Sequence, residues 1–183
     1  MPPVIPTYLD LLDSQREAAL AAVATLTPAQ LWQRPAPKEW SVGEILDHNY
    51  LLIARSLPLF RGAWRWLHKR GERRRARPYA TDAADPYTAD FPMWVGFLWT
   101  PRYKAQKPIP LTQIATNLRD LHHQVRLFYA GKDEDVLGNI YLYDPLLGWL
   151  NMIGALRVGI HHDQLHYRDI FQMVENLHQE GAR

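Results

Sequence analysis

The chain lacks cysteine altogether, and its 183 residues contain no long uninterrupted apolar run. Without cysteine no disulfide can form, and any metal site must use histidine, carboxylates or water. No segment approaches the roughly 20 apolar residues that span a bilayer, and we read no signal peptide at the N-terminus. These absences predict a cytoplasmic protein with no membrane partner.

A strong charge of either sign is also missing. The chain has 21 basic and 19 acidic residues, which leaves a formal net charge of +2. This balance does not demand a nucleic-acid partner. Hydrophobic residues at 47% and charged residues at 22% are typical of globular proteins. At this length we expect a single domain over residues 1–183.

Apolar residues recur at helical spacing in four segments. The predicted helices run from Tyr8 to Leu26, from Ser41 to Phe60 or beyond, from Leu111 to Tyr129 and from Pro145 to Leu177. Ser41 and Glu44 form a capping box at the start of the second helix. Four helices without a strand pattern predict an all-α fold, an antiparallel four-helix bundle.

Residues 78–110 interrupt this helical pattern. The segment contains six prolines and little periodicity, which predicts a long irregular insertion with a short helix near residues 93–99. Insertions of this length are often functional lids or packing arms.

Three histidines carry the strongest chemical signal. His162 and His166 have i, i+4 spacing, so both imidazoles lie on one face of the last helix, on its apolar stripe. His48 lies within the second helix and can also face inward. Three imidazoles from facing helices would hold one divalent metal and leave coordination positions open. The alternative is that these histidines are core residues without a metal.

Neighbouring polar residues are weaker candidates. Asp163 either orients a metal ligand through a hydrogen bond or is a surface acid. His161 lies about 100° around the helix from His162, which places it outside the ligand set. We interpret His122 and His123 as packing or surface residues. Asp163 and Glu44 are candidates for a general base, although the cap already explains Glu44, and no catalytic residue is assigned.

The segment from Pro37 to His48 resembles the Trp-Ser-x-x-Glu-x-x-x-His opening of the DinB-like superfamily, which includes the YfiT-like group. The segment from His162 to His166 is similar to that family's late His-x-x-x-His. The resemblance implies a DinB-like four-helix bundle, commonly dimeric, with a divalent metal on His48, His162 and His166. The family often has Gly-Gln after the last histidine, where this chain has Tyr167-Arg168, and that difference puts any particular substrate in doubt.

The resemblance also implies a metal-dependent enzyme acting on a small molecule, either a thiol S-transferase or a hydrolase. A transferase would use a low-molecular-weight thiol as partner. Zn²⁺ and Ni²⁺ are the first candidates for the metal, with Fe²⁺ and Mn²⁺ as alternatives. We expect a homodimer.

Other functions stay open from the sequence. The chain could bind metal without turnover, or use the bundle only to dimerise. Residues 69–77 contain six basic residues, and Trp64, Trp66 and Tyr79 flank them, as in some nucleic-acid-binding surfaces. We favour a solvated, charged helix end or loop as the explanation of this basic segment, so we do not expect a nucleic-acid partner.

Overall fold

Four long helices form the body of the protein, and the prediction of a four-helix bundle is confirmed. The computed structural model describes residues 3–88, 90–92 and 100–181. The described elements are α1 (Ile5–Val23), α2 (Pro28–Trp32), α3 (Val42–Glu72), α4 (Leu111–Tyr129), α5 (Glu134–Leu137), β1 (Tyr141–Asp144), β2 (Gly148–Asn151) and α6 (Met152–Gly181). None of the helices in these ranges combines the length and apolar character needed to cross a membrane.

The start of the last helix differs from the prediction. Strands β1 and β2 form an antiparallel hairpin in which Tyr143 pairs with Trp149. The Asp144 carboxylate accepts hydrogen bonds from the backbone N–H groups of the two leucines that follow Pro145, and Gly148 has a φ of +76°. These features make a turn instead of a first helical turn. The predictions of a helix from Pro145 and of no strand are therefore wrong.

The other boundaries agree more closely. The third predicted helix matches α4, and α3 extends past Phe60 to Glu72. Helix α1 begins and ends earlier than predicted, at Ile5 and Val23. The described residues of the 78–110 insertion contain no helix or strand, and the short helix predicted near residues 93–99 lies outside the described residues.

Two pairs of neighbouring helices run parallel. Helices α1 and α6 run in the same direction. The Arg157 guanidinium near the start of α6 packs over the Tyr8 ring near the start of α1, and Thr25 after the end of α1 lies beside His178 near the end of α6. The first turns of α3 and α4 share one apolar cluster, and Phe60 and Phe128 pack further along both helices with ring centroids 6.4 Å apart. The α1–α4 and α3–α6 pairs run antiparallel.

The parallel arrangement of α3 and α4 explains the long connection between them. A chain that leaves α3 must return along the bundle before it can begin α4. The connection starts with Tyr79 packed against Gly138, passes Tyr87 beside His162, and ends where the Ile109 carbonyl accepts a hydrogen bond from the Trp32 indole.

Two apolar clusters fill the bundle, and polar side chains separate them. One cluster contains Leu9, Leu57, Val125 and Ile160, and the other contains Leu20, Leu46, Leu118 and Ile170. All four long helices contribute buried polar residues between these clusters, and we call this set the polar layer: Arg16, His48, Asn49, His122, His162, Asp163 and His166. Buried polar groups are costly unless they are paired, so this layer is the first place to look for function.

Candidate metal centre

The polar layer brings together the three histidines that the sequence predicts. His48 reaches the layer from α3, whose start is fixed by the Ser41–Glu44 capping box, and His162 and His166 reach it from successive turns of α6. The three possible ligand nitrogens lie within 4.8 Å of one another. Nε2 of His48 and Nε2 of His162 face each other at 3.2 Å.

Carboxylates lie behind two of these imidazoles. Oδ1 of Asp163 is 3.6 Å from Nδ1 of His162, and Oδ2 of Asp169 is 3.5 Å from Nδ1 of His166. Asp163 is fully buried and also lies 3.7 Å from Nε2 of His122. The interpretation of Asp163 as a surface acid is therefore wrong. A carboxylate hydrogen-bonded to the second ring nitrogen fixes the tautomer and orientation of a metal-binding histidine, and these two carboxylates lie close behind His162 and His166 without making that hydrogen bond.

Burial sets the charge of the layer. It lowers the pKa of His162 well below its usual value, and the nearby His166 lowers it further. Burial also lowers the pKa of His122 and raises the pKa of Asp163 to about 6. Histidines held neutral keep a lone pair on one ring nitrogen, which is the form that binds metal ions.

Several polar atoms in the layer have no hydrogen-bond partner among the described residues. They include Nδ1 of His162, Nδ1 of His166, both carboxylate oxygens of Asp163 and both ring nitrogens of His122. Each buried polar atom without a partner costs about 1–3 kcal/mol. These atoms surround the histidine cluster, and they do not include Nε2 of His48 or Nε2 of His162, which face each other.

The histidines are buried but accessible from one side. The Trp40 ring packs on His48, with ring centroids 4.7 Å apart, and Trp40 and His166 both line a cleft of about 580 Å³. Tyr87 packs on the opposite side, with its ring centroid 5.6 Å from that of His162. A small molecule in the cleft would meet the cluster at His166.

A family model described as the DinB superfamily matches residues 11–170, which is most of the chain. The chain belongs to the DinB superfamily. None of the curated proteins compared with this DinB-superfamily chain matches it.

A solved structure has the same fold. YfiT from Bacillus subtilis, described as a probable metal-dependent hydrolase with an unusual four-helix bundle topology, superposes with a TM-score of 0.60. The match covers 94% of this chain and 86% of YfiT, at 17% sequence identity. This similarity establishes the DinB-like fold.

The structure places the remaining candidates of this DinB-superfamily chain away from the cluster. Glu44 accepts hydrogen bonds from Ser41 and Arg34, so its role is structural. His161 lies outside the cluster, as expected, with Nε2 3.1 Å from the Ala83 carbonyl oxygen. His123 is exposed on α4.

The basic segment 69–77 forms the end of α3 and the turn that follows it. Arg75 pairs with Asp133 at 2.8 Å. The charge of Arg70 lowers the pKa of Arg74, so positive charges crowd here. Cations near a helix C-terminus stabilise the helix dipole, which supports the interpretation of this segment as a solvated helix end.

Sequence reasoning missed three residues around the cluster. Arg102 donates hydrogen bonds to Asp47, the residue before His48, with Nη2 2.7 Å from Oδ1. Tyr87 packs on His162, and His122 lies against Asp163. Arg102 and Tyr87 belong to the irregular connection, where no periodicity marks a residue as facing inward.

Proposed function

We propose that this chain binds one divalent metal ion through His48, His162 and His166 and uses it to hydrolyse a small molecule. The observation that carries the proposal is the convergence of three buried imidazoles from two facing helices, with two of their nitrogens 3.2 Å apart. The description of YfiT as a probable metal-dependent hydrolase supports the same activity.

The residues fit a metal in their chemistry and spacing. Two nitrogens that are each about 2.1 Å from one ion lie roughly 3.0–3.4 Å apart in octahedral or tetrahedral geometry. The 3.2 Å between Nε2 of His48 and Nε2 of His162 falls within that range. Three imidazoles leave coordination positions open, as catalytic sites require and structural sites do not.

A bound metal would lower the pKa of a coordinated water toward 7 and so supply a nucleophile at neutral pH. The protein's own residues prepare that position. Asp163 and Asp169 lie behind the imidazoles of His162 and His166, where a carboxylate would orient a metal-binding histidine. Trp40 covers His48 and shields one side of the cluster from bulk solvent. The cleft at His166 admits water and substrate.

The donor set also bears on which metal is bound. Imidazole suits zinc, nickel and iron, and an octahedral shell completed by water suits manganese as well. We propose Zn²⁺ or Ni²⁺ first because three neutral nitrogens and no carboxylate form the cluster.

Elemental analysis tests the site. We expect the purified, untagged chain to carry about one equivalent of divalent metal, and His166→Ala to lose it while keeping its helix content. His123→Ala, which changes an exposed histidine of α4, should retain the metal and is the matched control. Full metal retention by dialysed His166→Ala would refute the assignment.

Thiol S-transfer is the alternative activity of the same site. A metal can deprotonate a bound thiol outright, and the chain has no cysteine, so the thiol would have to be a separate small molecule. An assay of the metal-loaded protein with an electrophilic substrate, with and without an added low-molecular-weight thiol, separates the two activities. Turnover that occurs only with thiol would replace the hydrolase proposal.

The proposal includes a cytoplasmic homodimer. The homodimer follows from the family resemblance, and the cytoplasmic location from the lack of cysteine. Light scattering of the purified chain tests the dimer.

A metal-loaded protein that turns over neither the hydrolysis substrate nor the thiol-transfer substrate would favour the non-catalytic alternative. Oligonucleotide binding that weakens steeply with salt would favour the basic segment 69–77 as the functional surface.

A further inference from the structure

We infer that an apolar pocket beside the histidine cluster binds an apolar group of the substrate, of about six to eight carbons. The inference rests on the proposed function, because it names the class of substrate for that site. The pocket has a volume of about 210 Å³ and lies among α1, α3, α4, α6 and the β1–β2 hairpin, from which Asp144, Leu147 and Leu150 line it. Its walls include Leu52, Leu57, Phe60, Val125 and Phe128.

The pocket adjoins the cluster through both helices that carry the histidines. Leu52 is one turn after His48 on α3, and Val158 is one turn before His162 on α6, so each shares a face with a histidine. Tyr87 belongs to the pocket wall and packs on the His162 ring, with ring centroids 5.6 Å apart. The Tyr87 ring therefore stands between the pocket and His162, and the rest of a molecule held in the pocket would reach the histidines past this ring.

A glycine on α6 keeps the pocket open. Gly159 lines the pocket one turn before His162, and a Cβ built there would meet no heavy atom of the described residues within 4 Å. Glycine within a helix is less stable than alanine. Gly159 thus leaves a space in the pocket that the side chain of a better helix former could fill.

The size and lining of the pocket define its occupant. An apolar cavity of about 150 Å³ stays dry and holds a benzene molecule. A pocket of about 210 Å³ can therefore hold a phenyl or hexyl group. It is smaller than the roughly 300–1,000 Å³ that encloses a drug-sized ligand, so it takes one part of a molecule.

The other side of the cluster suits a polar group. On α6, the residues that line the cleft begin at His166, and the residues that line the pocket end at Gly159. His162 therefore lies between the cleft and the pocket along this helix. Lys38, Glu39 and Asp169 belong to the cleft wall. The substrate is thus a small amphipathic molecule, with its apolar end in the pocket, its polar end in the cleft and its reacting bond at the histidines.

Straight-chain 1-alkanols from ethanol to decanol test the pocket, with NMR titration of the metal-free full chain as the readout. We expect affinity to rise about fourfold for each added methylene until the pocket is full, between about hexanol and octanol, and then to level off. Gly159→Leu should weaken hexanol binding at least about tenfold, because its side chain occupies the room of roughly four methylenes.

Two further variants keep the test decisive. Ala155→Leu fills the same pocket from the preceding turn of α6 and should also weaken hexanol binding. Gly62→Leu is the matched control: its Cβ would also meet no described heavy atom within 4 Å, but Gly62 does not line the pocket. Thermal unfolding confirms that each variant is folded. Parent-like hexanol binding in both pocket variants, or affinity that rises without a plateau, would overturn the pocket.

The metal site and the pocket can fail separately. We expect His166→Ala to bind hexanol with the same affinity as the parent, because the pocket does not depend on the metal. If the parent chain binds hexanol but no metal, only the proposal of a metal-dependent hydrolase is refuted. In the metal-loaded enzyme we expect hexanoyl esters to have a higher kcat/KM than acetyl esters, and Gly159→Leu to remove that preference. Hexanol binding without any chain-length preference would overturn the substrate class.

Discussion

Asp163 is the fully buried carboxylate of the polar layer, and it lies between two histidines of different helices. Its oxygens are 3.6 Å from Nδ1 of His162 and 3.7 Å from Nε2 of His122. This position puts one carboxylate behind a proposed metal ligand of α6 and against His122 of α4. Asp169 has the corresponding place behind His166, but it is about half exposed.

We expect Asp163→Asn to weaken metal binding about 10- to 100-fold while the stoichiometry stays at one, because carboxylates behind metal-binding histidines have effects of that size. Competition with a chromophoric chelator measures the change. Asp169→Asn is the control, and its effect should be smaller because water can replace an exposed carboxylate. Equal losses in the two variants would show that burial of Asp163 does not matter.

The histidine cluster could be predicted because helix geometry makes i, i+4 residues neighbours in any fold. His162 and His166 were placed by that rule, and His48 by its position on a second amphipathic helix. The contact of Asp163 with His122 could not be predicted in the same way. The contact depends on which helix packs beside α6 and on how far the two helices are shifted along their axes. The spacing of apolar residues within one helix gives neither piece of information.

At the scale of elements, the capping box at the start of α3 is a local feature that acts on the site. The Ser41 hydroxyl accepts a hydrogen bond from the Glu44 backbone N–H, and the Glu44 carboxylate accepts one from the Ser41 N–H. Arg34 pairs with the same carboxylate. This fixes the first turn of the helix that carries His48.

We expect Ser41→Ala to lower the free energy of unfolding by about 1–2 kcal/mol, since a lost N-cap costs roughly 0.5–2 kcal/mol and Ser41 is buried. Urea unfolding at neutral pH measures the change. Thr27→Ala removes the corresponding cap of the five-residue α2; Thr27 is exposed, so its loss should cost less. A smaller loss for Ser41→Ala than for Thr27→Ala would contradict this account.

The element boundaries that the sequence did not reveal depend on distant partners. Helix α1 starts at Ile5 because the Glu134 carboxylate accepts hydrogen bonds from the backbone N–H groups of Val4 and Ile5, at 2.9 and 2.7 Å. Glu134 lies 129 residues after Ile5 in the sequence, so no local pattern predicts this cap. The two strands of the hairpin pair only with each other among the described residues, and each is four residues long. A strand of that length is too short to show a clear alternation of apolar and polar residues.

At the scale of the whole molecule, the direction of the helices accounts for the unusual length of the connection between α3 and α4. A bundle whose neighbours were all antiparallel would need only short loops. Here the parallel pair requires a crossover, and its path takes Tyr87 and Arg102 to the two helices that carry the histidines. The sequence predicted the irregular segment but could not predict that it lines the site.

Ion pairs between α1 and α4 link the whole fold to pH. Arg119 donates hydrogen bonds to Glu17 and lowers its pKa from 4.5 to about 2, with a further contribution from Arg16. A carboxylate whose pKa is lower in the folded state stabilises that state above its unfolded pKa. This contribution is therefore present above pH 4.5 and is lost as the pH falls through about 2.

We expect the urea midpoint of the parent to fall between pH 5 and pH 2.5, and the fall to be shallower in Glu17→Gln, whose side chain does not titrate. The difference should be small because Glu17 is partly exposed and solvent screens the pair. Glu175→Gln, which changes an exposed acid of α6 that takes part in no salt bridge among the described residues, is the control. Parallel curves for the parent and Glu17→Gln would show that the pair between α1 and α4 does not contribute to acid sensitivity.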